Sequence, residues 1–307
     1  MTINASEFDV VRKFIAERAA IVLEPGKEYL VEARLGPLAR ADGCTINQLI
    51  ARLRTGSERP LNDRVVEALT TNETAFFRDV KPFEVLRNVV MPEILARKAA
   101  IRTLNIWCAA SSSGQEPYTI AMTLKEHFPQ LAGWQVRILC TDISSEMVTR
   151  TRNGRYSQLE VGRGMPAPLL VKYFNRAGLE WEVSGDLKKW IDVRTLNLAT
   201  AWGALPKQDI VFCRNVLIYF NVDTKRHILQ RTRELIKPDG YLFLGAAEST
   251  RGLDDQFETV QTGTSGCYRV IGAANATAVG AVKATAGAAA GPVPAVRRPI
   301  VSERRAS

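Results

Sequence analysis

The amino-acid sequence predicts an α/β fold in which an all-helical segment precedes a parallel sheet. Residues 1–85 repeat apolar side chains at helical spacing only, which predicts an all-α N-terminal domain. Residues 86–272 alternate strand-like runs with helical segments, the pattern of a parallel sheet with helices on both faces. Residues 153–195 break this alternation and predict a small β insertion. Residues 273–307 are rich in Ala, Gly and Pro and end in basic residues, so we expect disorder there.

The helical N-terminal part begins with an amphipathic stretch for which Ser6 is the expected N-cap. Its apolar residues recur every three or four positions: Phe8, Val11, Phe14, Ile15 and Ala19. Similar patterns cover residues 29–40, 45–53 and 61–69. A longer helix over residues 83–98 should lead into the sheet domain, with an interruption at Pro92 because proline lacks the N–H that a helix needs.

The sheet is expected to contain strands at residues 103–108, 136–141, 208–213 and 241–245. The intervening helices are expected at 116–128, 145–152 and 224–236. The turn signal Lys237-Pro-Asp-Gly240 should separate the last of these helices from the next strand. Residues 260–270 read as a final strand.

The insertion at 153–195 contains a helical pattern at 169–176 and two alternating runs at 179–183 and 190–194. Alternation of apolar and polar residues is typical of half-buried strands. Both runs are therefore expected to belong to one small antiparallel unit inside the α/β domain.

Composition narrows the function classes. The chain is 46% hydrophobic and 24% charged, as in soluble globular proteins, and it has no apolar run long enough for a membrane span. No signal peptide is expected. Five cysteines are scattered without a CxxC pair, which favours buried thiols in a reducing cytoplasm over disulfides or a metal site.

The net charge of +9 is concentrated in two places. Residues 151–195 hold eight Lys or Arg against five acids, and residues 271–307 hold five against one. Because no long basic stripe with interleaved aromatics is present, we expect no nucleic-acid partner. An acidic protein surface suits such a patch equally well.

Polar residues that could bind a ligand or take part in a reaction follow the predicted strands. After the first strand comes the loop 109–114 of small residues, which allows a ligand to approach the backbone and the start of the next helix. Glu116 follows at once; a carboxylate there would repel a pyrophosphate and attract a cation, which favours S-adenosylmethionine over a dinucleotide. Glu116 could instead only stabilise its helix.

Three further strands end in polar groups. Asp142 suits hydrogen bonding to ribose hydroxyls, or capping of the following helix. The strand at 208–213 delivers Arg214, Asn215 and Tyr219 to the same sheet edge, where Tyr219 could face the reacting centre or be a half-buried aromatic. Asn197 could bind the ligand or cap a turn.

Three sequence blocks resemble the CheR-type chemotaxis receptor methyltransferases, and the resemblance covers residues 5–270. The blocks are Asn72-Glu-Thr-Ala-Phe-Phe-Arg-Asp79, Ala109-Ala-Ser-Ser-Ser-Gly-Gln-Glu-Pro-Tyr118 and Phe212-Cys-Arg-Asn-Val-Leu-Ile-Tyr-Phe220. The resemblance implies a Rossmann-like S-adenosylmethionine-dependent methyltransferase domain with an antiparallel β insertion, preceded by an all-helical domain. Residues 72–79 are called the connector segment below.

The resemblance also implies roles for individual residues. Tyr219 would lie near the transferred methyl group, with Arg97 as its expected basic partner. The implied cofactor contacts are Asn72, Thr74, Arg78, Glu116, Asp142, Asn197, Leu198, Arg214 and Asn215. No metal is expected.

The implied reaction transfers a methyl group from S-adenosylmethionine to glutamate side chains on the cytoplasmic domain of chemoreceptors. The products would be glutamate methyl esters and S-adenosylhomocysteine. The implied protein is a cytoplasmic monomer without membrane insertion, and its β insertion could bind a receptor C-terminal peptide. The alternatives are a methyltransferase of the same fold acting on RNA or a small molecule, and a receptor-binding adaptor without catalysis.

Overall fold

Helices alone occupy the first hundred residues of the computed structural model, which describes residues 3–56, 58–262 and 265–271. They are α1 (Ala5–Ala19), α2 (Glu28–Ala41), α3 (Ile46–Thr55), α4 (Arg59–Leu69), α5 (Lys81–Val85) and α6 (Met91–Arg97). The first four share a hydrophobic core of their own, and the apolar face expected on α1 is buried in it. None of the helices in the described ranges has the length and apolar character of a membrane span. The tail at 273–307 lies outside the described residues.

The N-terminus of α1 is capped by Asn4 and not, as expected, by Ser6. The Asn4 side-chain oxygen accepts the N–H of Glu7 at 3.0 Å, and the Glu7 carboxylate accepts the N–H of Asn4 at 2.9 Å. This reciprocal arrangement needs an acid or amide three positions after the cap, which Glu7 supplies for Asn4.

The helical stretch from α5 to α6 is continuous through Pro92, so the expected interruption there is wrong. A π-helical turn, Leu86–Val90, joins α5 to α6, and Pro92 lies in the first turn of α6. A π turn widens the helix directly before the proline, where the missing N–H and the bulky ring would otherwise break the hydrogen-bond ladder.

The sheet domain contains ten strands within the described residues. They are β1 (Thr103–Ala109), β2 (Gln135–Asp142), β3 (Arg155–Ser157), β4 (Phe174–Ala177), β5 (Glu180–Val183), β6 (Ile191–Thr195), β7 (Gln208–Cys213), β8 (Ile236–Leu244), β9 (Phe257–Thr262) and β10 (Ser265–Val270). The helices between them are α7 (Gln115–His127), α8 (Ser145–Asn153), α9 (Gln158–Gly162), α10 (Ala167–Tyr173), α11 (Gly185–Lys188) and α12 (Val222–Leu235).

Seven strands form the main sheet, in the order β6–β2–β1–β7–β8–β10–β9. The five strands from β6 to β8 are parallel, and β10 and β9 are antiparallel additions at one edge. The predicted α/β fold with a parallel sheet is thus confirmed. In such a sheet the carboxyl ends of the parallel strands meet at one edge, which is where ligands bind.

The inserted unit is built on a three-stranded antiparallel sheet, β3–β5–β4. The alternating run at 179–183 lies in this sheet as β5. The run at 190–194 does not: it forms β6, which pairs in parallel with β2 at the edge of the main sheet, so its assignment to the insertion is wrong. Alternating apolar and polar residues indicate a strand with one buried and one exposed face, and an edge strand of either sheet can show this pattern. The helix expected over 169–176 ends at Tyr173, where β4 begins.

The turn signal Lys237-Pro-Asp-Gly240 follows the end of α12 but forms a bulge within β8. Gln208 of β7 pairs with Ile236, whereas Ile210, only two positions on, pairs with Tyr241. The glycine is required because a Cβ at position 240 would lie 2.8 Å from the Asp209 carbonyl oxygen.

The N-terminal helical region contacts loops at the carboxyl edge of the sheet. Ile21, after α1, forms an antiparallel bridge with Phe220, which follows β7. Glu67 of α4 accepts the N–H of Ser145 at 2.8 Å and so caps the N-terminus of α8. A carboxylate at that position is favourable because the free N–H groups of a helix end carry partial positive charge.

Phe76 of the connector segment packs against the inserted unit. Its ring is fully buried and meets Tyr156 and Phe174 edge-on, with ring centroids 5.0 and 5.7 Å apart. The Phe76 carbonyl lies directly against Gly164, where a Cβ would not fit. The connector segment is therefore anchored to the inserted unit and is not a free linker.

Phe76→Ala is expected to lower the free energy of unfolding by about 3–5 kcal/mol, because it removes a fully buried ring. Urea unfolding followed by circular dichroism measures the change, and Phe76→Leu, which keeps most of the buried volume, should cost clearly less. Equal stability of the alanine variant and the unaltered protein would show that this ring does not anchor the connector segment to the inserted unit.

Candidate active site

A cavity lies at the carboxyl edge of the sheet, between the connector segment and the loops after β1, β2, β6 and β7. Ten of the eleven site residues predicted from the sequence line it: Asn72, Thr74, Arg78, Glu116, Asp142, Asn197, Leu198, Arg214, Asn215 and Tyr219. Folding thus brings residues from five separate sequence regions to one place.

Arg97 is the exception, and its expected place beside Tyr219 is wrong. It ends α6, and its guanidinium is paired with the Asp239 carboxylate at 3.1 Å, in the bulge of β8. Asp239 lies near the amino end of that strand, so Arg97 is at the sheet edge opposite the cavity. Helix α6 directly precedes β1, so its last residue lies near the amino ends of the strands and away from the cavity. Within the predicted set, Arg78 is a cation that does line the cavity.

The loop after β1 brings its backbone to the cavity. Ala110 and Ser112 both have positive φ, 55° and 50°, and Gly114 has φ 95° at the start of α7. A Cβ on Gly114 would lie 3.0 Å from the Tyr156 hydroxyl, which itself donates to the Ser113 carbonyl at 2.8 Å. The inserted unit thus braces this loop from outside.

Asp142 holds two loops by their backbone N–H groups. One carboxylate oxygen accepts from Ser112 at 2.8 Å and the other from Ser144 at 3.0 Å. The side chain is 5% exposed, and this burial raises the pKa of the Asp142 carboxyl, while the two N–H donors oppose the rise. The predicted capping of α8 by Asp142 is wrong, because the N-cap of α8 is Ser144; Asp142 instead accepts the N–H of that cap residue, and its carboxylate lines the cavity.

Arg214 forms a charged clamp in the wall of the cavity. Its side chain is 1% exposed, and its guanidinium donates to the carboxylates of Glu116 and Asp79 and to the carbonyl of Arg78. It therefore joins β7 both to the start of α7 and to the connector segment. The sequence resemblance assigned Arg214 to the cofactor, whereas in the structure its guanidinium is hydrogen-bonded to protein groups.

The Arg214 clamp also affects the pKa of Glu116. Burial raises the pKa of the Glu116 carboxyl, and the adjacent Arg214 charge opposes that rise. Arg214 engages one carboxylate oxygen, Oε2. The predicted attraction between Glu116 and a cationic ligand is therefore reduced by a fixed cation.

The connector segment is held against the first loop by backbone contacts. The Ser112 hydroxyl donates to the Asn72 carbonyl at 2.7 Å, and the Phe77 N–H donates to the Thr119 hydroxyl at 3.1 Å. Arg78 donates to the Glu73 carbonyl at 2.9 Å, which folds its side chain back along the cavity wall.

Backbone strain is concentrated around the cavity. Of eight non-glycine residues with positive φ in the described ranges, three line the cavity, namely Ala110, Ser112 and Asn215, and three more, Ala20, Phe77 and Asp79, are chain neighbours of residues that line it. Such conformations persist where neighbouring contacts impose them, and they cluster at functional sites.

Asn197 acts as a turn cap, the second of its two predicted roles. Its amide donates to the Arg18 carbonyl at 2.7 Å, and its oxygen accepts the N–H of Ala199 at 2.9 Å. Tyr219 is half-buried in a short 3₁₀ turn, Leu217–Tyr219, and lines the cavity.

Sequence reasoning missed two contributors to this region. The first is the segment between α1 and α2, from which Ile21, Leu23 and Lys27 line the cavity; its sequence carries no motif. The second is Glu248, whose carboxylate bonds the backbone of the loop after β7. An acid shortly after a buried strand is the signal that identified Asp142, and it could have identified Glu248 as well.

Two family models match almost all of the described chain. The model described as "CheR methyltransferase, all-alpha domain" matches residues 6–70, and "CheR methyltransferase, SAM binding domain" matches residues 72–265. The chain belongs to the CheR methyltransferase family. The resemblance seen in the sequence is confirmed.

Named relatives agree with this membership. The chain is 41% identical over 275 residues to "Chemotaxis protein methyltransferase 1" of Pseudomonas aeruginosa, covering 88% of this chain and 99% of the relative. It is 40% identical over 266 residues to "Chemotaxis protein methyltransferase Cher2" of Pseudomonas putida, covering 85% and 96%. A Vibrio anguillarum "Chemotaxis protein methyltransferase" is 40% identical over 274 residues, covering 88% and 98%.

The cofactor of this family member is S-adenosylmethionine, and the cavity fits it. Asp142 presents a buried carboxylate at the end of β2, as a ribose requires. Ala110, Ser111 and Ser112, in the loop after β1, line the cavity just before the start of α7, and Leu198 adds an apolar wall. The protein is therefore an S-adenosylmethionine-dependent methyltransferase.

Arg214→Met is expected to lower the free energy of unfolding by about 3–5 kcal/mol, because it leaves the buried Glu116 carboxylate without its cation. Arg97→Met is the matched control: its ion pair is solvent-exposed, and its loss should cost no more than about 1 kcal/mol. Chemical unfolding at neutral pH measures both. Equal costs would show that the buried clamp is no more important than a surface pair.

Proposed function

We propose that this protein transfers methyl groups to glutamate side chains on the cytoplasmic domain of chemoreceptors. The observation that carries the proposal is the placement of Tyr219 and Arg78 in the wall of the same cavity as the cofactor residues. A hydroxyl and a guanidinium together suit an incoming carboxylate, since both donate hydrogen bonds and one is cationic. The names of the relatives support chemoreceptors as the carriers of that carboxylate.

Six of the nine predicted cofactor residues have a proposed task in binding it. Asp142 accepts hydrogen bonds from ribose hydroxyls, and the Asn215 amide makes paired contacts with the cofactor. Asn72 and Thr74 close the cavity from the connector segment, while Leu198 contacts its apolar part. Glu116 offers its remaining carboxylate oxygen to the positive end of the ligand. S-adenosylmethionine supplies an activated methyl group when it is bound.

The acceptor side of the reaction needs orientation more than proton transfer. A glutamate carboxylate is ionised at neutral pH, so no general base has to activate it. Tyr219 and Arg78 would hold it in line and replace the water that it loses on entering the cavity. Arg78 takes the cationic role that the sequence had suggested for Arg97.

The inserted unit is the proposed place for a receptor C-terminal peptide. Its sheet has two edge strands, β3 and β4, to which an extended peptide can add by main-chain hydrogen bonds. The loop between α9 and α10 contacts the connector segment: Arg163 pairs with Glu73 at 3.1 Å, and Gly164 packs on the Phe76 carbonyl.

We also propose that the protein works as a cytoplasmic monomer. One chain supplies every residue of the proposed site. The five cysteines are free, and Cys108, Cys140, Cys213 and Cys267 are buried, which suits a reducing compartment.

The decisive experiment incubates the protein with methyl-labelled S-adenosylmethionine and a chemoreceptor cytoplasmic fragment. We expect label in base-labile methyl esters on the fragment, because esters hydrolyse where N-methyl groups do not. A matched fragment with its candidate acceptor glutamates replaced by alanine should take up no label.

Two results would contradict the proposal in different ways. Label in added RNA, with none in the fragment, would favour a nucleic-acid methyltransferase. Binding of S-adenosylhomocysteine and of the fragment, without transfer to any acceptor, would favour an adaptor.

Affinity for S-adenosylhomocysteine is expected to fall as the pH is lowered. The ionised Asp142 carboxylate is the form that accepts ribose hydrogen bonds, and burial raises its pKa above the usual 3.8. Protonation, and with it the loss of affinity, should therefore begin at a higher pH than for an exposed aspartate. Calorimetry across the acidic range measures this dependence.

Asp142→Asn is the control for the pH dependence. It should bind more weakly at neutral pH and show a shallower pH profile, because the titrating group is gone. Identical pH profiles for the two proteins would assign the titration to another group.

A further inference from the structure

Glu248, in the loop after β8, is surrounded by backbone N–H groups. Its Oε2 accepts from Asn215 at 2.8 Å and from Gly245 at 2.7 Å, and its Oε1 accepts from Val216 at 2.9 Å and Leu217 at 2.7 Å. Successive backbone N–H groups in this conformation form a concave anion site, which the protein fills with its own carboxylate. Glu248 does not line the cavity, so the proposed cofactor contacts do not include it.

The N–H groups of residues 215–217 belong to the segment after β7, which carries the proposed site residues Asn215 and Tyr219. Asn215 has φ 58°, a left-handed conformation that non-glycine residues seldom adopt. The 3₁₀ turn Leu217–Tyr219 begins two residues later, and the N–H groups at the start of a helical turn have no partner within it. The Glu248 carboxylate therefore satisfies donors that the turn itself leaves free.

Gly245 makes room for this arrangement. A Cβ at position 245 would lie 2.7 Å from both Glu248 Oε2 and the Asn215 side-chain nitrogen. The carboxylate, the Asn215 amide and the end of β8 are thus packed against one another, and a shift of the carboxylate would displace Asn215.

We propose that Glu248 is a positioning residue of this methyltransferase. It fixes the backbone of residues 215–217 so that the Asn215 amide and the Tyr219 ring face the cofactor cavity. The requirement is chemical as well as steric: all five contacts, including a longer one from the Ile218 N–H at 3.4 Å, come from N–H donors, so both oxygens of residue 248 must accept. A glutamine of the same shape would place an NH₂ group against at least two donors whichever way its amide is turned.

The binding test is a double-mutant cycle on S-adenosylhomocysteine affinity, measured by calorimetry. Glu248→Gln is expected to weaken binding on the order of tenfold, the size expected for losing hydrogen bonds to a charged group. Asn215→Gly removes the amide that Glu248 is proposed to position, and glycine tolerates the positive φ. If Glu248 acts through Asn215, Glu248→Gln should weaken binding much less in the Asn215→Gly background. Glu258→Gln, at an exposed position on β9, is the matched control and should bind normally.

A second cycle follows the rate of methyl transfer to the receptor fragment. Glu248→Gln should lower kcat while leaving KM for the fragment nearly unchanged, and the loss should shrink in a Tyr219→Phe background. This arm rests on the proposed function, whereas the binding arm rests only on the cofactor. A protein that binds S-adenosylhomocysteine but methylates no receptor would therefore contradict the function and leave the binding cycle to decide on Glu248.

Two outcomes would overturn the inference. One is unchanged affinity in Glu248→Gln, and the other is a loss that adds fully to that of Asn215→Gly, as a merely structural role would produce. If Glu248→Gln does not fold, Glu248→Asp replaces it in the same cycle: it keeps the charge but withdraws the carboxylate, so the same non-additive loss is expected.

Discussion

The buried ionic clamp of Arg214 is the interaction on which the rest of the site depends. One guanidinium joins the end of β7 to Glu116 at the start of α7 and to Asp79 and the Arg78 carbonyl in the connector segment. A charge so well removed from water is tolerated only with its partners in place. The clamp therefore links the helical N-terminal domain to the sheet at the cavity itself, and Arg78 can face the cavity only while the connector segment is held there.

Two other carboxylates, Asp142 and Glu248, shape the loops in a similar way. Asp142 accepts backbone N–H groups from the loops after β1 and β2, and Glu248 accepts them from the loops after β7 and β8. Loops that would otherwise relax are held in left-handed conformations, such as those of Ser112 and Asn215. The acidic groups near this site therefore act first on the protein's own backbone, and Asp142 alone of the two also lines the cavity.

Much of the fold could be predicted because the patterns that specify it are local. Helical spacing located α1, and strand–helix alternation located the parallel sheet. The errors arose where one local pattern suits two surroundings. Alternation at 190–194 fitted an inserted strand as well as the edge strand β6, and the choice depends on pairing with β2, which is distant in sequence. Pro92 was read as a break because the π turn that accommodates it has no sequence signal.

The fold class, the family and ten of the eleven residues expected at the cavity could be predicted from the sequence, because strand-end positions and three motif blocks can be read in one dimension. The partner of each polar group, in contrast, depends on the folded chain. In the folded chain Arg97 pairs with Asp239 at the far edge of the sheet, and Arg214 pairs with Glu116. Glu248 accepts hydrogen bonds from the backbone of the loop after β7. Hydrogen bonds and ion pairs act over a few ångströms, so they follow from proximity in the folded chain, which residue type and spacing do not specify.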